Sequence, residues 1–129
     1  MPARLRPLPT AEVTALLDRL DAAGDAGEPA DPGDERAAVK HFLAVLAARH
    51  PGKSVEVRVP PYAAVQCVEG ARHTRGTPPA VVETDAATWL ALARGRLRYA
   101  DAVRGGQVRA SGERSDLSPL LPLIDQPSA

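Results

Sequence analysis

Apolar residues recur along this chain with two different periods, and the places where the period changes divide it into elements. Val13, Leu16, Leu17 and Leu20 stand at i, i+3, i+4 and i+7, one face of a helix. The spacing predicts a helix over residues 11–23, with Thr10 placed to cap it. Residues 24–34 are rich in Gly, Pro and Asp and lack periodicity, so they read as a flexible linker on which the first helix docks loosely. Asp34 then caps a second helix carrying Val39, Phe42, Leu43 and Leu46, which ends before Pro51 and Gly52. Beyond that point the period drops to two. Val55, Val57 and Val59 alternate with Glu56 and Arg58, the pattern of a strand with one face in a core and one in solvent.

Pro60, Pro61 and Tyr62 turn the chain into a second strand over residues 63–69, so the two strands read as an antiparallel hairpin with Val65 and Cys67 on one face. A polar loop, residues 70–79, leads to a third strand over residues 80–83. Asp85 is placed to cap a helix with Trp89, Leu92 and Ala93 on one side, and Gly95 ends it. A short helix presents Tyr99, Ala100 and Val103, closed by Gly105 and Gly106. Residues 107–112 form a fourth strand in which Val108 and Ala110 alternate with Arg109 and Ser111. Ser118 before Pro119 reads as the cap of a terminal helix that lays Leu120, Leu121 and Ile124 on the core. Strands in a run, then helices, then one late strand, with no internal repeat, predict an α+β fold with helices on one face of the sheet.

At 129 residues and 44% hydrophobic content the chain carries one core. We read residues 1–33 as an N-terminal helix with its linker and residues 34–129 as the domain. Lys+Arg and Asp+Glu are both 16, so nothing in the net charge draws the protein to phosphate backbones. Aromatics at 3% offer no stacking platform for bases. Nucleic acid is therefore not an expected partner. No apolar run approaches the roughly 20 residues that a membrane span needs, no secretory leader is recognisable, and one cysteine cannot form an internal disulfide. The expected location is cytoplasmic, without stable membrane insertion.

Candidate chemistry is sparse. Gly70, Gly76 and Thr77 have the wrong spacing for a phosphate-binding loop, and no lysine follows. Cys67 and His73 lack a third group to orient them as nucleophile and base, and Cys67 alternates with Val65 as a buried structural thiol does. His41, His50, His73 and Cys67 do not have the short paired spacings of a metal site. No metal, no cofactor and no catalytic residue is expected. Arg72, His73 and Arg75 are the densest cationic cluster. They suit either a solvated loop paired with nearby carboxylates or a mouth for an anionic head group. Trp89 fits either a pocket wall or core filling with its N–H bonded.

Residues 54–124 resemble the sterol carrier protein family, and in particular its small stand-alone actinobacterial members. The resemblance rests on Val-Glu-Val-Arg-Val-Pro-Pro-Tyr (55–62), Ala-Val-Gln-Cys-Val-Glu-Gly (64–70) and Arg-His-Thr-Arg-Gly-Thr-Pro-Pro (72–79). It continues through the helix that ends at Gly95, Gly-Gly-Gln-Val-Arg-Ala-Ser-Gly (105–112) and Asp-Leu-Ser-Pro-Leu-Leu-Pro (116–122). It implies a mostly antiparallel, curved sheet of about four to five strands, with an apolar cavity between sheet and helices that holds a fatty acid, acyl-CoA, sterol or other lipid. On that expectation Val57, Val65, Cys67, Val82, Trp89, Leu92, Leu120 and Leu121 line the cavity, with Arg72, His73 and Arg75 at its mouth. The same fold occurs as an accessory domain of larger enzymes, so a protein-interaction module with a filled core and a partner enzyme is the competing expectation.

Overall fold

A computed structural model of the chain describes residues 5–70, 79–112 and 114–124. Two helices, α1 (Thr10–Asp25) and α2 (Pro32–Arg49), precede β1 (Val55–Val59), β2 (Ala63–Cys67) and β3 (Ala80–Thr84). Then come α3 (Ala86–Ala93), α4 (Tyr99–Arg104) and β4 (Val108–Ser111). The strands form one sheet in the order β2-β1-β3-β4. β1 and β2 pair as the expected hairpin, with Val57 opposite Val65 and Val55 opposite Cys67. β3 does not continue the meander beside β2. It crosses to the other side of β1 and pairs there in parallel, Val57 opposite Val82, before β4 adds antiparallel to β3. The α+β class with a mostly antiparallel sheet of four strands stands.

The period-two pattern explains the two faces. Val55, Val57, Val59, Val82 and Thr84 turn inward and are buried, while Arg58 and Arg109 point to solvent and Glu56 and Glu83 are half-buried on that outer side. Ala110 shares the inner face with Val82 by register but is exposed. The core is a single cluster that joins Val39, Phe42, Leu43 and Leu46 of α2 to these strand residues and to Trp89, Leu92 and Ala93 of α3.

Several local expectations are corrected. The supposed linker is shorter than expected: Gly24 and Asp25 complete α1, α2 begins at Pro32, and residues 26–31 connect them. The cap of α2 is Asp31, whose Oδ2 accepts from the Asp34 N–H at 3.1 Å, with Pro32 at a first-turn position where no N–H is needed. Thr10 is the first residue of α1 and makes no cap; Pro9 stands at that place. In α4 the buried side is Tyr99 and Ala102, while Ala100 and Val103 are exposed. The Tyr99 hydroxyl donates to the Ser115 carbonyl at 2.6 Å, which fixes the ring inward and sets the helix's rotation. The terminal helix is a single 3-10 turn over Ser118–Leu120. Ser118 is its first residue and not its cap; Leu117 stands at that place without a side-chain bond, and Asp116 just before it accepts from the Ser118 N–H at 3.0 Å and hydroxyl at 2.6 Å. Leu121 is extended, as a residue before proline tends to be, and the Leu123 N–H donates to the Ala93 carbonyl at 2.8 Å.

Between α2 and β1 the chain passes over the end of β2. Val68, at φ 65°, donates its N–H to the His50 carbonyl at 2.7 Å, and its own carbonyl accepts from the Ser54 N–H at 3.0 Å and hydroxyl at 2.6 Å. Gly52, at φ 152°, lies under this junction: a Cβ there would stand 2.1 Å from the Val68 carbonyl oxygen.

Candidate functional site

Five of the residues expected to line a cavity meet in the interior. The registers of β1 with β2 and β3 place Val57, Cys67 and Val82 on the inner face, and the 3.6-residue period of α3 turns Trp89 and Leu92 toward them. Each of these five is at most 1% exposed, and all belong to the one core cluster. Asp85 sets the position of Trp89 by capping α3, its Oδ1 accepting from the Thr88 N–H at 2.8 Å. The indole N–H donates to the Val39 carbonyl at 3.4 Å, so the ring bridges α3 and α2. Val65, on the edge strand, is half-buried, and Leu120 and Leu121 pack on the rim of the cluster without being enclosed by it. Arg72, His73 and Arg75 lie outside the described residues.

Cys67 is fully buried, and burial pushes its thiol up to about 11, which keeps it protonated and a poor nucleophile. His41 is buried on α2, its Nδ1 accepting from the Leu8 N–H at 2.9 Å. Among the described residues no group of three or more His, Cys, Asp or Glu side chains could hold a metal ion. No helix among them is long and apolar enough to cross a membrane.

Open depressions lie elsewhere, where β1 and β3 run side by side and their outgoing connections diverge. One, of about 350 Å³, is lined by Pro60, Glu83, Thr84, Asp85, Gly106, Gln107 and Arg109. Its neighbour, of about 400 Å³, shares Pro60 and Glu83 and extends over Arg58, Pro61, Tyr62, Ala63 and Ala64. None of the eight expected lining residues touches either.

Sequence reasoning also missed how α1 is fastened. Asp21 receives a two-pronged ion pair from Arg94 at the end of α3, at 2.8 and 2.9 Å, and a further contact from Arg96 at 3.1 Å. The Arg94 hydrogen bonds and those of Arg96 hold the Asp21 carboxyl down at about 2, against the opposing effect of burial. Arg19 pairs with Asp34 at 3.2 Å. Asp34, Ala38 and His41 fall at i, i+4 and i+7, one stripe of α2, and the contacts of Arg19 with Asp34 and Leu8 with His41 set α1 antiparallel along it. Asp21 and Arg94 are 73 residues apart, and no local pattern signals such a pair.

A family model described as a bacterial SCP ortholog matches residues 32–123. No curated protein matches the chain. The matched span begins at the first residue of α2 and contains every residue of the buried core cluster, whereas α1 lies outside it.

Proposed function

The chain belongs to the bacterial SCP ortholog family, a sterol carrier protein-like family, and from that premise we propose that it is a non-catalytic carrier of an apolar ligand. The ligand is a fatty acid, acyl-CoA, sterol or other lipid held between the sheet and the helices that cover it. The observation that carries this reading is the family match, which spans the whole layer of helix and strand faces around Trp89. The chemistry of the interior agrees with it. Val57, Val82, Leu92 and Trp89 offer apolar contact without a charged group among them, and the Cys67 thiol is too weakly acidic for nucleophilic work. Uptake requires the helix layer to part from the sheet, because these side chains pack together in one core cluster.

One feature favours a second reading, an accessory module with a filled core that works on a partner enzyme. Phe42, Leu43 and Trp89 are almost wholly enclosed, and the indole N–H is already satisfied by protein.

Native mass spectrometry of the purified protein separates the two, followed by denaturing extraction and identification of any bound molecule. A stoichiometric apolar adduct is the expected result. Trp89 is the single tryptophan, so titration with acyl chains, acyl-CoA or sterol is expected to shift its emission and raise Tm by linkage. A ligand-free mass with no shift in either would leave the accessory module as the better reading. For the absence of catalysis, Cys67 is expected to resist iodoacetamide in the folded protein at pH 8 and to react on unfolding. Ester or thioester hydrolysis lost specifically in Cys67→Ala would overturn the non-catalytic assignment.

A further inference from the structure

We propose that residues 5–9 form a proton-sensitive clasp on α2: neutral His41 holds the Leu8 N–H, and protonation of His41 releases this segment and lifts Leu5 from the core while α1 stays docked. The clasp needs no ligand and works whether or not the core holds one.

The geometry begins with two prolines. Pro7 and Pro9 have no N–H, so Leu8 supplies the one backbone donor between them. That donor goes to His41 Nδ1 at 2.9 Å, and among the described residues it is the one hydrogen bond made by residues 5–8. Leu5 and Leu8 are half-buried, and Leu5 packs against the core cluster. Arg6, Pro7 and Pro9 are exposed. The clasp is therefore one hydrogen bond with two partly covered leucines.

An Nδ1 that accepts has its lone pair free, which places the neutral ring's proton on Nε2. Protonation makes both nitrogens donors. Nδ1–H then faces the Leu8 N–H, and the bond is replaced by a repulsive contact in a site where His41 is only 8% exposed. Among the described residues, the groups that meet it bring no compensating negative charge. The ring meets Phe42 edge-on at 4.9 Å, and the ionisable residue of the clasp itself is Arg6, another cation. None of the carboxylates of α1 (Glu12, Asp18, Asp21 and Asp25) acts on the imidazole; the charge that does is Arg49 of its own helix, again positive. Burial first, then Arg49, holds His41 below its ordinary 6.5.

The sign follows from linkage. The closed clasp lowers the affinity of His41 for a proton, so closure is fully favoured above about pH 6.5 and is lost as pH falls through the depressed value. Helix α1 does not share this fate. Its Asp21 carboxyl, at about 2, remains ionised between Arg94 and Arg96 throughout that range, and Leu16 keeps its burial.

Amide exchange by NMR on the full chain from pH 7.5 to 4.5, with rates corrected for their intrinsic pH dependence, tests the clasp beside a direct titration of His41. Leu8 is expected to be protected at neutral pH and to lose protection by up to about tenfold per pH unit as pH falls from about 6.5 to the His41 midpoint, levelling off below it, with Leu16 unchanged. In His41→Asn the carboxamide oxygen replaces Nδ1 as acceptor and cannot titrate, so Leu8 is expected to stay protected in acid. The proposal is overturned if Leu8 is unprotected at neutral pH, or if its protection does not follow the His41 titration. It is also overturned if Leu16 opens together with Leu8, or if a folded His41→Asn shows the same acid release. The comparison of Leu8 with Leu16 in the unaltered protein needs no variant to fold.

Discussion

Helices α1 and α2 lie against one another, yet different forces hold them. Helix α2 is enclosed on nearly every side, with Ala38, Val39, His41, Phe42, Leu43, Ala44 and Leu46 all buried, and it is the spine of the core. Helix α1 buries Leu16 alone and is fastened by Asp21 to Arg94 and Arg96 and by Arg19 to Asp34. The difference teaches where cooperativity ends. Apolar burial joins α2 to the sheet and α3 as one unit, and salt and acid act on it only weakly. The ion pairs fastening α1 respond to both.

The sharpest way to break this comparison is to damage the shared core. Trp89→Ala removes the largest fully buried side chain, which touches both layers, and is expected to cost about 3–5 kcal/mol in denaturant unfolding with every probe affected together. A loss confined to α3 would mean that the core is not one unit. Next, Leu16→Ala is expected to cost about 2 kcal/mol, at the low end for a buried leucine because Leu16 stands outside the main core cluster. Its effect should appear as faster amide exchange within α1, with α2 unchanged. Smallest is Asp21→Asn, expected to cost about 1 kcal/mol at low salt and less at 1 M, since Arg96 and part of Asp21 face solvent. Because the Asp21 carboxyl is held at about 2 against an ordinary 3.8, its contribution is present above about pH 4 and is lost between pH 4 and 2. A circular dichroism titration over that range checks the loss, which should be absent in Asp21→Asn.

What could be read in the sequence is what short-range physics encodes. The Val55, Val57 and Val59 alternation, the turn at Pro60 and Pro61, the Asp85 cap and the stop at Gly95 each lie within a few residues of their effect, and each is found in the fold. The start of α2 was misread because Pro32 and Gly33 look like linker residues until Asp31 is seen to cap them. The rotation of α4 depends on Tyr99 reaching Ser115, and the end of the chain on Leu123 reaching Ala93; neither contact leaves a local pattern. Strand order was beyond reach for a related reason. Once β2 has paired with one edge of β1, nothing in the period of β3 says which free edge it will take. Of the candidate site, facing was legible for Val57, Cys67, Val82, Trp89 and Leu92, since periodicity fixes a face. Enclosure was not, because it depends on what arrives from the other layer.

The junction beneath Val68 limits how this chain can diverge. At most positions a substitution is judged by the face on which its side chain falls, but Gly52 has no face to offer. The atoms beside it are backbone, the carbonyl of Val68 and the nitrogen of Glu69, and Val68 ties the end of β2 to His50 and Ser54. Gly24 in α1, with nothing within 4 Å of where a methyl group would stand, is the same residue type under no such demand. Two glycines of one sequence thus stand under opposite demands: one has room for a methyl group, and the other sits at a crossing of two stretches of main chain that any side chain would force apart.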